Sequence, residues 1–295
     1  MAELTRRPAD AGWLARAPSA ALVIGGITSV QIGGALAVHL FRWVGPGGAV
    51  LLRMVTAAVI LLVTSPPRLR GRALRGLPLA VVFGLVLAGM TLCFYNALHR
   101  VPLGIAVALE FVGPLTVAVA GSRRPVDLVW VALALAGILA LTRGGGEPIS
   151  GLGVFFALTA GALWGCYILL SARVGRAFER GAGLTVALCV ASLVTLPVGV
   201  VAAGSRLLEP RSLALGAAVG LLSSAIPFSF EMEALRRIAA PLFGVLMSLE
   251  PAMAALTGFV ILGQQLSARA VLGIALVVAA SVGASMRGWR APTDI

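Results

Sequence analysis

The sequence predicts an all-α fold, a polytopic membrane protein of ten transmembrane helices built as two inverted five-helix repeats. Three observations lead to this prediction: the composition, the spacing of the apolar segments and the distribution of arginine. Of the 295 residues, 59% are hydrophobic and 12% are charged, and the mean hydropathy is +1.02. Soluble globular domains carry about 25% charged residues. The composition therefore excludes an ordinary soluble fold.

Ten apolar segments follow one another along the chain, each bounded by arginines, by glycine and proline, or by both. They are residues 19–38, 47–64, 77–98, 102–120, 126–141, 151–171, 182–203, 213–235, 239–262 and 268–286. Most contain 19 to 24 residues, which at about 1.5 Å per residue is enough to cross a hydrocarbon core of about 30 Å. The arginines before the first segment imitate a signal peptide. Because its apolar run of ~20 residues exceeds a signal core, we expect it to remain as a span.

Arginine supplies all of the positive charge, since the chain has 23 basic residues and no lysine. Sixteen arginines lie at the termini and in alternate loops, against six in the other loops. The positive-inside rule therefore predicts cytoplasmic termini and an even number of spans. We interpret the net charge of +12 as membrane topology. No nucleic-acid-binding module is recognisable, so nucleic acid is not an expected partner.

The two halves of the chain repeat at a spacing of 137 residues. The sequence A-L-H-R at 97–100 corresponds to A-L-R-R at 234–237, and Pro114 corresponds to Pro251. Because each half has an odd number of spans, the second half must enter the membrane from the opposite face. The predicted organisation is a cytoplasmic segment 1–18, a first five-helix repeat 19–142, a linker 143–150, a second five-helix repeat 151–286 and a cytoplasmic tail 287–295.

Two carboxylates fall near the middle of the bilayer. Glu110 lies about nine residues into the fourth segment, at a depth of ~13 Å, and Glu250 lies ~16 Å into the ninth. Pro114 cannot donate to the carbonyl of Glu110, and Pro251 directly follows Glu250. A carboxylate at this depth costs about 2.5–3.5 kcal/mol on insertion scales and usually faces a cavity or a partner. We expect both acids to bind a cationic group or a proton. The alternative is a structural pair with a neighbouring hydroxyl or arginine.

Four further polar residues are candidates for substrate binding. Arg53, in the second segment, could hold a carboxylate, pair with an acid or extend to the membrane surface. Glu231 either joins a rim ion pair with the arginines that follow it or reaches an inner vestibule. Gln31 and Asn96, in the first and third segments, are candidate hydrogen-bonding residues, and a neighbouring helix could equally satisfy them.

Several kinds of chemistry have no signature in the sequence. Cys93, Cys166 and Cys189 lie in apolar segments without paired spacing, so neither a disulfide framework nor a metal site is expected. No Ser/His/Asp set, phosphate-binding loop or HExxH motif is present. We therefore expect no enzymatic activity, no metal and no cofactor.

Four motifs connect the chain with a known family. They are V-P-L-G-I-A-V-A-L-E-F-V-G-P-L at 101–115, S-R-R-P-V-D at 122–127, P-F-S-F-E-M at 227–232 and M-S-L-E-P-A at 247–252. With them the sequence resembles the EamA-type branch of the drug/metabolite transporter superfamily, and within it the threonine/homoserine exporters of bacterial inner membranes. The resemblance implies a ten-helix fold, export of small amino acids and coupling to protons. The family often has Gly-Glu after the ninth helix, where this chain has Gly263-Gln264-Gln265.

The expected function is therefore a secondary exporter of small neutral amino acids, threonine and homoserine above all, in the inner membrane. The substrate ammonium would lie near Glu110 and Glu250, and its carboxylate near Arg53 or helix N-termini. Besides the small-molecule substrate, the expected partners are the lipid bilayer and protons, and the oligomeric state stays open. One alternative is another cargo, such as a purine base, a pigment precursor or a drug. The other is a non-transporting membrane protein, such as a lipid-modifying enzyme or a scaffold.

Overall fold

The computed structural model describes residues 18–67, 72–120, 127–142, 149–178, 182–235, 237–238 and 240–288. Within these ranges the regular structure is helical throughout, without a strand. The helices are α1 (Ser19–Thr64), α2 (Arg72–Leu98), α3 (Leu103–Glu110), α4 (Val112–Ala120), α5 (Asp127–Thr142), α6 (Gly151–Ala177), α7 (Ala182–Ala203), α8 (Pro210–Gly220), α9 (Ile226–Leu235), α10 (Ala240–Met247), α11 (Glu250–Leu262) and α12 (Ala268–Gly288). A 3-10 turn, Gly204–Leu208, precedes α8, and a π-helical stretch, Leu221–Ala225, joins α8 to α9. The predicted all-α fold is confirmed.

The helices have the length and surface of a membrane protein. Five stretches of the described residues are long and apolar enough to cross a bilayer: Ser19–Thr64, Leu74–Leu98, Gly151–Ala177, Ala182–Leu208 and Phe243–Leu262. Large apolar side chains such as Val63, Val201 and Val260 are 68% to 88% exposed, as expected of a surface that faces lipid. The chain is thus a polytopic membrane protein, as predicted. Helix occurs in each of the ten predicted segments, while the number of crossings remains a prediction.

The first two predicted segments meet at a sharp break inside α1. Gly45 has φ 64° and ψ 174°, a backbone conformation that is essentially restricted to glycine. Pro46 follows and supplies no backbone N–H. α1 therefore consists of two helices that join at Gly45, in agreement with two separate predicted segments.

The predicted fourth and ninth segments are each divided into two helices beside their acid. Glu110 is the last residue of α3, and Glu250 is the first residue of α11. Pro114 and Pro251 have no N–H for the carbonyl four residues earlier, at Glu110 and Met247. Each proline thus weakens its helix at the level of the acid, and the backbone there is open to side chains and ligands.

The short helices also repeat at the spacing found in the sequence. Advancing residues 103–110, the extent of α3, by 137 positions gives residues 240–247, the extent of α10. A structural match at the sequence offset supports an internal repeat. The division into two inverted five-helix units remains a prediction.

Small residues bring helices into close contact at the first acid. Gly161 of α6 packs directly on the backbone at Glu110, and a Cβ added to Gly161 would lie 2.5 Å from the Glu110 carbonyl oxygen. Gly113 of α4 faces the carbonyl of Gly161, which leaves no room for a Cβ there either. Helix packing in membranes relies on such small residues because they let backbones approach. These contacts fix the position of Glu110 against α6.

Gln264 lies directly after Gly263, where the resemblance leads us to expect an acid, and its side chain contacts another helix. The Gln264 side-chain oxygen accepts a hydrogen bond from the backbone N–H of Leu103 at 3.0 Å, at the first turn of α3. α11 ends at Leu262, and Gly263, the residue between the helix and Gln264, has φ 65°. A neutral amide therefore connects the end of α11 to the start of α3, where backbone N–H groups lack helical partners.

The close contact between Gly161 and the Glu110 carbonyl can be tested by substitution. Gly161→Ala should lower the midpoint of thermal unfolding in detergent, because the new methyl group overlaps the Glu110 carbonyl and overpacking costs about 1–3 kcal/mol. The matched control is Gly175→Ala on the same helix, where a Cβ would meet nothing within 4 Å. The control should unfold at the wild-type temperature or above it, since alanine favours helix over glycine. Equal midpoints for both variants would contradict the packing described here.

Candidate functional site

A central cavity of about 170 Å³ contains both buried acids in its wall. Its lining comes from α1, α2, α3, α6, α7, α9, α10, α11 and the π-helical stretch, so residues from both halves of the sequence contribute. Glu110 is 8% exposed and Glu250 is 7% exposed. Both carboxylates therefore face a cavity inside the helix bundle and not the lipid.

Glu250 is held by one hydrogen bond and keeps one oxygen free. The Gln31 side-chain amide, 1% exposed, donates to Glu250 Oε1 at 3.2 Å. Oε2 is buried and has no hydrogen-bond partner within the described residues. A buried carboxylate oxygen without a donor costs free energy that a ligand donor recovers. The orientation of Glu250 is thus fixed by α1 while its second oxygen remains available.

Glu110 differs from Glu250 in having no side-chain hydrogen bond or ion pair with any described residue. The close contact with Gly161 sets the position of its backbone, and its side chain lines the cavity. Among the described residues, neither a hydroxyl nor an arginine forms a hydrogen bond or an ion pair with its side chain. The role of this carboxylate stays a prediction.

Arg53 extends inward to buried partners. Nη2 donates to the Ser223 carbonyl at 3.1 Å, Nη1 lies 3.4 Å from the Tyr95 hydroxyl, and the guanidinium carbon lies 5.6 Å from the centre of the Tyr95 ring. Tyr95 and Ser223 are 0% and 6% exposed. Nε is buried and has no partner among the described residues. The guanidinium is therefore anchored at the cavity, without a hydrogen bond or ion pair to Glu110 or Glu250.

The π-helical stretch explains how Arg53 obtains its anchor. Pro227 has no N–H for the carbonyl of Ser223, four residues earlier, and the wider π turn covers this position. Arg53 supplies a donor to that carbonyl, and the Ser29 hydroxyl donates to the carbonyl of Leu222 at 2.7 Å. Both donors come from α1. The irregular turn and α1 are thus linked by side chains at the level of the cavity.

Ser223 and Ser224 line the cavity and were not among the sequence candidates. Both are buried, with 6% and 4% exposure. The sequence signal that could have identified them is a pair of hydroxyls in the middle of an apolar run, three and four residues before Pro227. The sequence does not reveal that this proline falls opposite an arginine on another helix, so the pair looks like ordinary small residues.

The remaining candidates separate into two groups. Glu231 lines the cavity, while Glu233 forms an ion pair with Arg237. The rim ion pair therefore applies to Glu233, and Glu231 reaches the cavity. Asn96 lies outside the described lining: its amide donates to the Leu92 carbonyl at 2.8 Å, and its side-chain oxygen accepts from Arg100 at 3.1 Å.

Aromatic side chains form part of the wall. Tyr167 lines the central cavity and also a second cavity of about 210 Å³ between α2, α6 and α7. Its ring stacks on Phe83 at 4.9 Å between centroids. Tyr167 therefore separates two internal spaces, one at the acids and one near the end of α6.

The described residues contain no group of three or more His, Cys, Asp or Glu that could hold a metal ion. The three cysteines are free thiols. Ionic and hydrogen-bonding contacts with a small molecule are therefore the chemistry that the described site offers.

Comparisons with known proteins agree on the class of protein. The profile of the EamA-like transporter family matches residues 151–286. The threonine/homoserine exporter RhtA of Salmonella typhimurium (strain LT2) is 43% identical over 270 residues, which is 90% of each chain. The same exporter of Escherichia coli (strain K12) is 42% identical over 264 residues, 88% of each chain. One crystal structure of a protein superposes with a TM-score of 0.59 at 18% identity, over 92% of this chain and 99% of its own, which indicates a shared fold.

Proposed function

Because the chain belongs to the EamA-like transporter family, together with the threonine/homoserine exporters, we propose that it exports small neutral amino acids from the cytoplasm. Threonine and homoserine are the favoured cargo, since they are named for relatives that match 88% to 90% of the chain. The protein is a transporter and not an enzyme. The site proposed below rests on its own geometry.

The main support for this proposal is that the cavity is lined by charges of both signs, without an ion pair between them among the described residues. Glu110 and Glu250 line it together with Arg53, and the described structure has no ion pair between Arg53 and either acid. An α-amino acid at neutral pH carries an ammonium and a carboxylate on the same carbon. A ligand of this kind supplies a cation to the acids and an anion to the arginine, in charge-assisted hydrogen bonds.

Each side chain then has a definite task. The free Oε2 of Glu250 accepts from the substrate ammonium, and Gln31 holds that carboxylate in place. The free Nε of Arg53 donates to the substrate carboxylate. Glu231 lines the same cavity and adds negative charge that attracts the ammonium. Asn96, which is outside the lining, has no part in this scheme.

The size of the cavity argues for a small cargo. Pockets for drug-sized ligands have about 300–1,000 Å³, whereas this cavity has about 170 Å³. A drug or a pigment precursor is therefore a poor fit. A purine base would leave the opposite charges without partners, and a scaffold would need no charged cavity.

The proposed topology has ten crossings in the bacterial inner membrane, with both termini in the cytoplasm. The repeats are residues 19–142 and 151–286, joined by 143–150 and flanked by cytoplasmic segments 1–18 and 287–295. The excess of arginine in alternate loops and the matching extents of α3 and α10 support this arrangement. The cavity between the two repeats would open to one side of the membrane at a time.

Proton coupling is proposed from the state of Glu110. Its carboxylate has no hydrogen bond or ion pair with a described residue and lies in the same cavity as Glu250. A proton on this acid and an ammonium beside it exclude each other, which couples proton uptake to release of the amino acid.

The role of the acids is tested by removing one charge at a time. Glu110→Gln and Glu250→Gln should each reduce threonine efflux from loaded cells by about tenfold or more, because an amide cannot pair with an ammonium and charged hydrogen bonds contribute about 1.5–3 kcal/mol. Glu209→Gln makes the same chemical change at an exposed site and is the matched control. All variants are compared at equal amounts in the membrane. Wild-type efflux from Glu250→Gln cells would remove this acid from the mechanism.

Coupling is tested with purified protein in liposomes. With an acidic interior, the liposomes should accumulate labelled threonine above its external concentration, since protons leaving drive the amino acid inward. Liposomes at equal pH should only equilibrate. If both preparations fill to the same level, transport is not coupled to protons.

A further inference from the structure

Ser223 carries a buried hydroxyl for which the described part of the chain provides no partner. It lies in the π-helical stretch, lines the central cavity and is 6% exposed. Its Oγ has no hydrogen bond with any described residue. Unpaired buried hydroxyls are rare because they lose water without gaining a partner. This atom therefore calls for an explanation outside the protein's own hydrogen bonds.

The surroundings of Ser223 place its hydroxyl close to the arginine anchor. The Ser223 carbonyl accepts from Arg53, so the side chain that is proposed to hold the substrate carboxylate is attached to this same residue. On the other side, Gly33 of α1 leaves the space that Oγ occupies, because a Cβ at Gly33 would overlap Ser223 Oγ. The local packing thus accommodates a hydroxyl at this point without bonding to it.

Two other hydroxyls near Ser223, those of Thr91 and Ser29, are already engaged. Thr91 lines the cavity, but its hydroxyl donates to the Leu87 carbonyl at 2.9 Å. The Ser29 hydroxyl donates to the Leu222 carbonyl. Both are used to complete helix contacts. Ser223 is unlike them, since its hydroxyl has both donor and acceptor capacity unused.

We infer that Ser223 selects the cargo by forming a hydrogen bond with the side-chain hydroxyl of the cargo, an inference that rests on the proposed function. Threonine and homoserine both carry a hydroxyl on the side chain, and Ser223 lines the same cavity as Arg53 and accepts a hydrogen bond from it. An apolar pocket distinguishes a hydroxyl from a methyl group poorly. A site whose polar group is left unpaired rejects the analogue that lacks the hydroxyl far more strongly.

Valine is the probe for this inference, because it has a methyl group where threonine has the hydroxyl. In proteoliposome counterflow of labelled threonine, unlabelled valine should compete at a concentration about tenfold or more above that of threonine for the wild type. In Ser223→Ala the ratio of the valine concentration to the threonine concentration needed for equal competition should fall to within about threefold of one. Ser29→Ala, which removes a hydroxyl that supports the neighbouring carbonyl, is the matched control and should keep the wild-type ratio.

A second measurement separates a lost contact from a damaged fold. Because the Ser223 hydroxyl forms no hydrogen bond with a described residue, Ser223→Ala should unfold at the wild-type temperature or above it. Three outcomes would each overturn the inference while threonine transport stands. They are a wild-type valine-to-threonine ratio in Ser223→Ala, a ratio near one in Ser29→Ala, and a clear loss of stability in Ser223→Ala. No threonine counterflow by the wild type would instead refute the proposed function.

Discussion

The structure depends on keeping buried charges of opposite sign apart. Glu110, Glu250 and Arg53 share one cavity in a membrane-embedded bundle, where each charge left unpaired is costly. Collapse into an internal ion pair would remove that cost and leave nothing for a ligand. Gln31 prevents this for Glu250, and the Ser223 carbonyl prevents it for Arg53. Under the proposed function, the unpaired charges preserve a site for a molecule that carries both.

Three prolines interrupt the helices that line this cavity. Pro114, Pro227 and Pro251 each leave the carbonyl four residues earlier without its helical donor, at Glu110, Ser223 and Met247. All three of these residues line the cavity. The breaks at α3–α4 and α10–α11 and the π turn before α9 therefore meet at one level of the bundle. Irregular backbone inside a membrane is tolerated where it borders a cavity, and here it defines one.

Much of this arrangement could be predicted from the sequence, and the reasons differ by residue. Counting residues into apolar runs singled out Glu110 and Glu250, and the structure places both in the wall of one cavity. The direction of the Arg53 side chain could not be predicted, because it depends on hydrogen bonds to Tyr95 and Ser223 from other helices. Asn96 was a sequence candidate alongside Glu231, yet its side-chain oxygen accepts a hydrogen bond from Arg100, four residues later. Local spacing predicts depth, whereas partners across helices are set by packing.

The central claim is recognition of both charged ends of an amino acid, and one counterflow experiment tests it directly. Proteoliposomes exchanging labelled threonine are challenged with threonine, threonine amide, which lacks the carboxylate, and 2,3-dihydroxybutyrate, which lacks the ammonium. We predict that threonine competes and that each analogue needs about a tenfold higher concentration or more, since each leaves one buried charge unpaired. Equal competition by either analogue would contradict the account.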